Sequence, residues 1–231
     1  MFVRRALIVI LTLATCVAAQ QCLAQGAIQA VRGAAEALQT QTEGWQPLFD
    51  GQSLDGWTAS ENKDSCKVVD GELVIGGGER SHMFYSGPVG NHDFTNFQLK
   101  LKVKTEPKAN SGVYIHTKYQ ETDWPAQGYE AQVNNSGDDP QKTGSLYGVK
   151  KVEESPVKDN VWFDYLITVE GDRITTAVNG ETLVDFTDTG DDMPHLKEFP
   201  GRKLSSGTVA LQAHDPKSIV HFKDIQIRLL P

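Results

Sequence analysis

From Trp45 to the C-terminus the chain is written in short runs of Val, Ile, Tyr and Phe, broken by turn residues, with almost no helical periodicity. "KVVDGELVIGGG", "FQLKLKVKTEP", "SGVYIHT", "GYEAQV", "DYLITVEGDRITTAVNGETLVDFTD", "GTVALQAHD" and "IVHFKDIQIRLL" each alternate in the manner of strands. Asp70-Gly71, Gly171-Asp172 and Asn179-Gly180 fall between such runs, where two-residue hairpin turns need left-handed backbone. Many short antiparallel strands at this spacing predict an all-β fold, a jelly-roll sandwich of two antiparallel sheets, over residues 45–231. No long repeat interrupts it.

Alternation also sorts side chains between faces. In "FQLKLKV" the apolar set is Phe97, Leu99, Leu101 and Val103, with Gln98, Lys100 and Lys102 turned to solvent. Other strands differ. "GYEAQV" puts Tyr129, Ala131 and Val133 on one side and Glu130 and Gln132 on the other. "SGVYIHT" separates Val113 and Ile115 from Tyr114 and His116, and "GTVALQAHD" separates Val209, Leu211 and Ala213 from Ala210, Gln212 and His214. Polar faces built of Glu, Gln, His and Tyr suit a concave sheet that touches sugars better than a merely wet one. Trp57, Trp162 and Phe222 are expected in the core.

The first residues follow different rules. Arg4 and Arg5 precede an uncharged apolar run and small residues suited to cleavage near Ala19 or Ala24, the layout of a secretory signal over residues 1–24. The run is short for a membrane span, and Thr15 before Cys16 does not fit a lipidation site, so the expectation is an exported protein, periplasmic or secreted, without a lipid anchor. Residues 25–44, rich in Ala, Gln and Gly, read as a linker. Cleavage after Ala24 leaves Cys66 alone, so the mature fold must rely on its core rather than on a disulfide. It also shifts the formal charge from −8 to −10, because the removed segment carries two arginines and no acid. An acidic chain without a basic cluster argues against nucleic acid and anionic membranes as partners.

Several chemistries fail on spacing. "IGGGERS" lacks the Lys-Ser/Thr of a phosphate loop, and no nucleotide cofactor is expected. His82, His92, His116, His195, His214 and His221 are scattered rather than spaced for zinc, and there is no serine elbow. Sandwich glycanases that use two carboxylates carry them on one strand as Glu-x-Asp-x-x-Glu. Here those positions read Glu130, Gln132 and Asn135, so this strand cannot supply the pair that retaining hydrolysis needs.

"LFDGQSLDGW", "FTNFQLKLKVKTEPKANSGVYIHT", "GYEAQV", "GSLYGV" and the closing strands from "VWFDYLITVEGD" to "VHFKDIQI" together resemble, in order, the bacterial 3-keto-disaccharide hydrolase or 3-keto-glucoside 1,2-lyase family. The resemblance implies a concanavalin A-like sandwich acting on glycosides already oxidised to a ketone at C3. Such a ketone acidifies the C2 hydrogen, so a base can remove it and the C1 oxygen can leave by β-elimination, with water adding afterwards for net hydrolysis. That chemistry needs a base and a group that stabilises the enolate oxygen. On this reading Glu130 is the first candidate for base or metal ligand and His214 the second. Tyr147 is either an acid or enolate donor or a buried tyrosine. Gln132 bonds the sugar or orients Glu130. Gln212, His116 and Tyr114 share the polar face, and Trp124 stacks on a sugar or packs its loop. Asn110 and Ser111 edge the site or form a turn. One divalent metal ion would fit the enolate role, with Glu130, His214 and His116 as candidate ligands. The rival readings are a non-catalytic carbohydrate-binding module or lectin-like domain and, more weakly, a domain that binds a cell-wall partner through the same face.

Overall fold

A computed structural model describes residues 44–231; the segments expected to be a secretory signal and a linker, up to residue 43, lie outside the described residues, as do Cys16 and Cys22. Thirteen strands follow in chain order: β1 (Trp45–Pro47), β2 (Trp57–Ala59), β3 (Cys66–Val69), β4 (Glu72–Gly76), β5 (Ser81–Tyr85), β6 (Phe97–Thr105) and β7 (Ser111–Thr117). β8 (Tyr129–Val133), β9 (Phe163–Glu170), β10 (Arg173–Val178), β11 (Glu181–Thr187), β12 (Thr208–Ala213) and β13 (Ile219–Leu229) complete the set. They form two antiparallel sheets. The larger runs β11-β10-β9-β6-β13-β4-β3, with β1 on the second half of β13; the smaller runs β2-β5-β12-β7-β8. The all-β sandwich expected from the sequence is the fold observed.

Turn chemistry accounts for the connections. Asp70-Gly71 joins β3 to β4 and Asn179-Gly180 joins β10 to β11, each with positive φ at both residues, the requirement of a type I′ hairpin. "IGGGERS" is a glycine turn, linking β4 to β5.

The core lies between the sheets. β6 alternates without a break, burying Phe97, Leu99, Leu101 and Val103. β13 buries Val220 and Phe222, then Ile225 and Ile227; the odd step is a bulge at Asp224, whose φ is +51°. From the smaller sheet come Val113, Ile115, Tyr129, Ala131, Val133, Val209 and Leu211. Trp57 and Phe222 are core residues as expected, but Trp162 is not. It is half-buried on the outer face of the large sheet, beneath the ammonium groups of Lys104 and Lys223 at 4.6 and 4.2 Å, where cations on the indole face replace apolar packing. Cys66 is buried as a free thiol, and burial pushes its pKa up to about 12, so it packs as a small hydrophobe.

Candidate functional site

The outer face of the smaller sheet is where the polar halves of β7, β8 and β12 converge. Glu130 and Gln132 on β8 point away from the core, as their alternation demands, into a cavity of about 610 Å³. Tyr114, Gln212 and His214 join them from the neighbouring strands, with Asn110, Tyr147 and Trp124 at the sides. Two long loops close the cavity from above: one brings Trp124, Pro125 and Ala126, the other Phe199 through Arg202. Gly201 lets those loops touch. The Gly128 amide donates to its carbonyl at 2.9 Å, and a Cβ on Gly201 would lie 1.8 Å from the Ala126 oxygen.

At the floor, Glu130 is fully desolvated and held on both oxygens. Gln212 Nε2 donates to Oε1 at 2.8 Å and the Tyr114 hydroxyl to Oε2 at 2.9 Å. Arg202 Nη2 reaches Oε2 at 3.4 Å. Burial pushes the carboxyl pKa up, and the Arg202 charge with the Tyr114 and Gln212 hydrogen bonds only partly restrains it. Position depends on a missing atom: a Cβ on Gly112 of β7 would lie 2.4 Å from Glu130 Oε1. Tyr114 is held strongly in its protonated form, by burial first and then by the Glu130 charge. Tyr147 is placed by the "GSLYGV" segment, which runs along the free edge of β8; its amide donates to the Glu130 carbonyl at 2.9 Å. Burial, then the Asp139 and Glu130 charges, raise its pKa too.

His214 stands at the rim. Its Nδ1 pairs with Asp215 Oδ2 at 2.8 Å. Burial opposes the charge on Asp215, but His214, the Lys217 amide and the Ser218 hydroxyl more than offset it and hold the carboxyl below its usual range. A charged Asp215 accepts a hydrogen bond from His214 Nδ1–H and so fixes the orientation of the ring. Trp124 packs on the His214 ring at 5.1 Å, and Arg80 caps the indole at 5.0 Å while pairing with Glu61 and Asp123.

Eight of the ten residues singled out in the sequence thus line one cavity, and two do not. At His116 the backbone turns left-handed (φ +53°) in a bulge of β7 against β12, which breaks the alternation on which its placement rested. Its Nε2 bonds the Thr95 carbonyl at 2.8 Å, Nδ1 accepts from the Ser205 amide at 3.2 Å, and the ring packs edge-on against Phe97. Ser111 is buried and donates to the Gln212 carbonyl at 2.6 Å, a tie between strands rather than a substrate contact. With His116 elsewhere, the three suggested metal donors do not converge, and among the described residues no group of three His, Cys, Asp or Glu does. The donors present do not fit a protein-held metal.

Arg202 and Asp215 carry no mark in the sequence. Arg202 comes from a loop, "KEFPGRKLSSG", that has no strand pattern to reveal its direction; only the Pro-Gly turn before it hints at a presented side chain. Its Nη1 is buried without a protein partner, as are Oε1 of Gln132 and of Gln212. The cavity therefore offers an unmet donor and two unmet acceptors beside a carboxyl, a set complementary to a polyhydroxylated carbonyl compound.

Residues 44–228 match the 3-keto-alpha-glucoside-1,2-lyase-like domain. The chain belongs to this family. Among solved structures it is similar to a presumptive glycosyl hydrolase from Parabacteroides distasonis ATCC 8503, at 25% identity and a TM-score of 0.68, covering 83% of this chain and 96% of that one. The carbohydrate-binding module CBM66 from Bacillus subtilis shares the fold at 12% identity and a TM-score of 0.51, covering 75% of this chain and 95% of the module. A protein of unknown function with a galectin-like fold, also from Bacillus subtilis, does so at 8% identity and a TM-score of 0.54, covering 80% of this chain and 94% of that one. No curated protein sequence matches the chain.

Proposed function

We infer that the protein is an exported enzyme that cleaves 3-keto-glycosides by removing the C2 proton and eliminating the C1 oxygen. The observation that carries the reading is Glu130, a desolvated carboxyl with a raised pKa, set beside an arginine with a free N–H at the base of a sugar-sized cavity. In this reading Glu130 takes the C2 proton. The C–H electrons form the C2–C3 double bond and the charge moves to the C3 oxygen, which Arg202 Nη1 and the Tyr147 hydroxyl receive. When the enolate collapses, its electrons form the C1–C2 double bond and the C1–oxygen bond breaks. The departing oxygen takes the C2 proton from Glu130 as the bond breaks, which restores the carboxylate, and His214, held by Asp215, bonds the freed hydroxyl. Addition of water at C1 and return of a proton to C2 would complete net hydrolysis. Gln132, Gln212 and Asn110 bind ring hydroxyls, and Trp124 covers the sugar. Family membership supports the substrate class, and the charged-then-apolar start of the chain supports export.

One experiment tests this. A disaccharide and its 3-keto form are each followed by NMR in heavy water with and without chelator. Cleavage of the keto form alone, with deuterium at C2 or an unsaturated product, is expected in both. Loss of cleavage on chelation would reinstate a metal. The fold likeness to CBM66 favours one alternative, a sugar-binding module; binding of both sugars with turnover of neither would establish it instead.

A further inference from the structure

A second cavity, of about 450 Å³, opens on the same sheet face, and nothing in the elimination chemistry uses it. Cross-strand register links the two. Glu130 is opposite Tyr114, Tyr114 opposite Ala210, Ala210 opposite Phe84, and Phe84 opposite Thr58. Glu130 and Tyr114 line the first cavity, Phe84 and Thr58 the second. At about 4.8 Å per strand, this row carries the sheet about 19 Å from the reacting carboxyl to its far edge.

The ridge between the cavities is the segment 118–127, and it bears two of the exposed large aromatics. Trp124, 39% exposed, packs edge-on to His82 and lines the first cavity; Tyr119, 52% exposed, packs edge-on to Phe84 at 5.4 Å and lines the second. Across the second cavity the chain holds three successive left-handed residues, Gly90, Asn91 and His92, with φ of 55°, 52° and 48°. Asparagine and histidine adopt that conformation more readily than most side chains, but each still stores some strain, and such strain collects at ligand-binding positions. The turn presents Asn91 and Asp93 to the cavity opposite Lys118 and Tyr119. An exposed aromatic face ringed by an amide, a carboxylate and an ammonium suits the apolar face and the hydroxyl rim of a pyranose.

We propose that this second cavity is an accessory glycosyl subsite, which binds sugar units beyond the cleaved bond and makes an oligosaccharide, rather than a disaccharide, the better substrate. The proposal rests on the glycoside reading of the first cavity. Unoxidised glucose oligosaccharides of two, three and four rings, in α- and β-linked series, are titrated into the full chain by calorimetry. In one series the Kd is expected to fall at least about tenfold from two rings to four. In Tyr119→Ala and in Asp93→Asn that gain should shrink below about threefold, while Val69→Ala on the opposite sheet keeps it. Affinity independent of length in both series, or a length gain that survives both cavity substitutions, overturns the subsite. Because these sugars carry no ketone, the ladder is read without turnover. Cleavage of a 3-keto disaccharide, measured in parallel, tests the reaction separately: an intact ladder without cleavage sinks the reaction alone, and cleavage with a flat ladder sinks the subsite alone.

Discussion

Glu130→Gln keeps the shape of the floor and one of its two acceptor oxygens while removing the base. Turnover of the 3-keto disaccharide is expected to fall by about 10²- to 10⁴-fold with substrate binding retained. A variant that turned over at the native rate would remove Glu130 from the chemistry. The same substitution reports on linkage. Burial raises the folded carboxyl above its ordinary 4.5, so the stability contributed by this group is present below that pH and is lost as pH rises through the raised value. Urea melts from about pH 4 to about pH 7 should therefore show the native protein losing stability relative to Glu130→Gln as pH rises. His82 behaves in the opposite sense. Its ring is wholly buried against Tyr114 and Trp124 with neither nitrogen bonded, and burial lowers its pKa to about 4. The unfolded chain binds the proton near 6.5 and the folded chain only near 4, so stability falls as pH drops across that window. His82→Leu should flatten that slope, by up to about 3 kcal/mol in melts between the two pH values.

Strands and loops divide the site between the legible and the hidden. Alternation along β8 and β12 put Glu130, Gln132 and Gln212 on one face because a strand with a buried side has its other side fixed by a period of two. That logic holds only while the strand is regular, and His116 shows where it stops. A single left-handed residue turned the ring onto Phe97, and nothing in "GVYIHT" marks it. Trp162 fails for a related reason, since a residue just ahead of β9 belongs to neither face until the strand is placed. Arg202 depends on a loop whose course is set by contact with another loop. Gly201→Ala should part the two, because a side-chain carbon there collides with the Ala126 carbonyl and backbone cannot yield cheaply. The expected result is weaker sugar binding and faster proteolysis within residues 188–207, with melting little changed; unchanged binding would mean that the loops do not roof the site. Gly112→Ala, pressing on Glu130, should reduce turnover far more than it reduces sugar binding.

At the scale of the whole molecule, stability comes from the faces the two sheets bury against each other, since the described residues hold one free thiol and no disulfide. Phe222→Ala, at the centre of β13, should cost about 3–5 kcal/mol in denaturant melts, because the surrounding sheets cannot collapse into the gap. Cys66, located by peptide mapping, should resist alkylation in the native protein and react fully once unfolded, its thiol being buried with a pKa near 12. The sequence by itself determined the β-sandwich, its hairpins, the inward set of each regular strand and the single carboxylate of β8. All of these follow from local periodicity and turn conformation, which neighbouring residues dictate. Only the tertiary structure decided that Arg202 meets Glu130, that Asp215 orients His214 toward a cavity, and that His116 lies outside it. Those pairings join residues as far apart as positions 130 and 202, and their cause is the desolvation and steric fit of one assembled face, which no local pattern encodes.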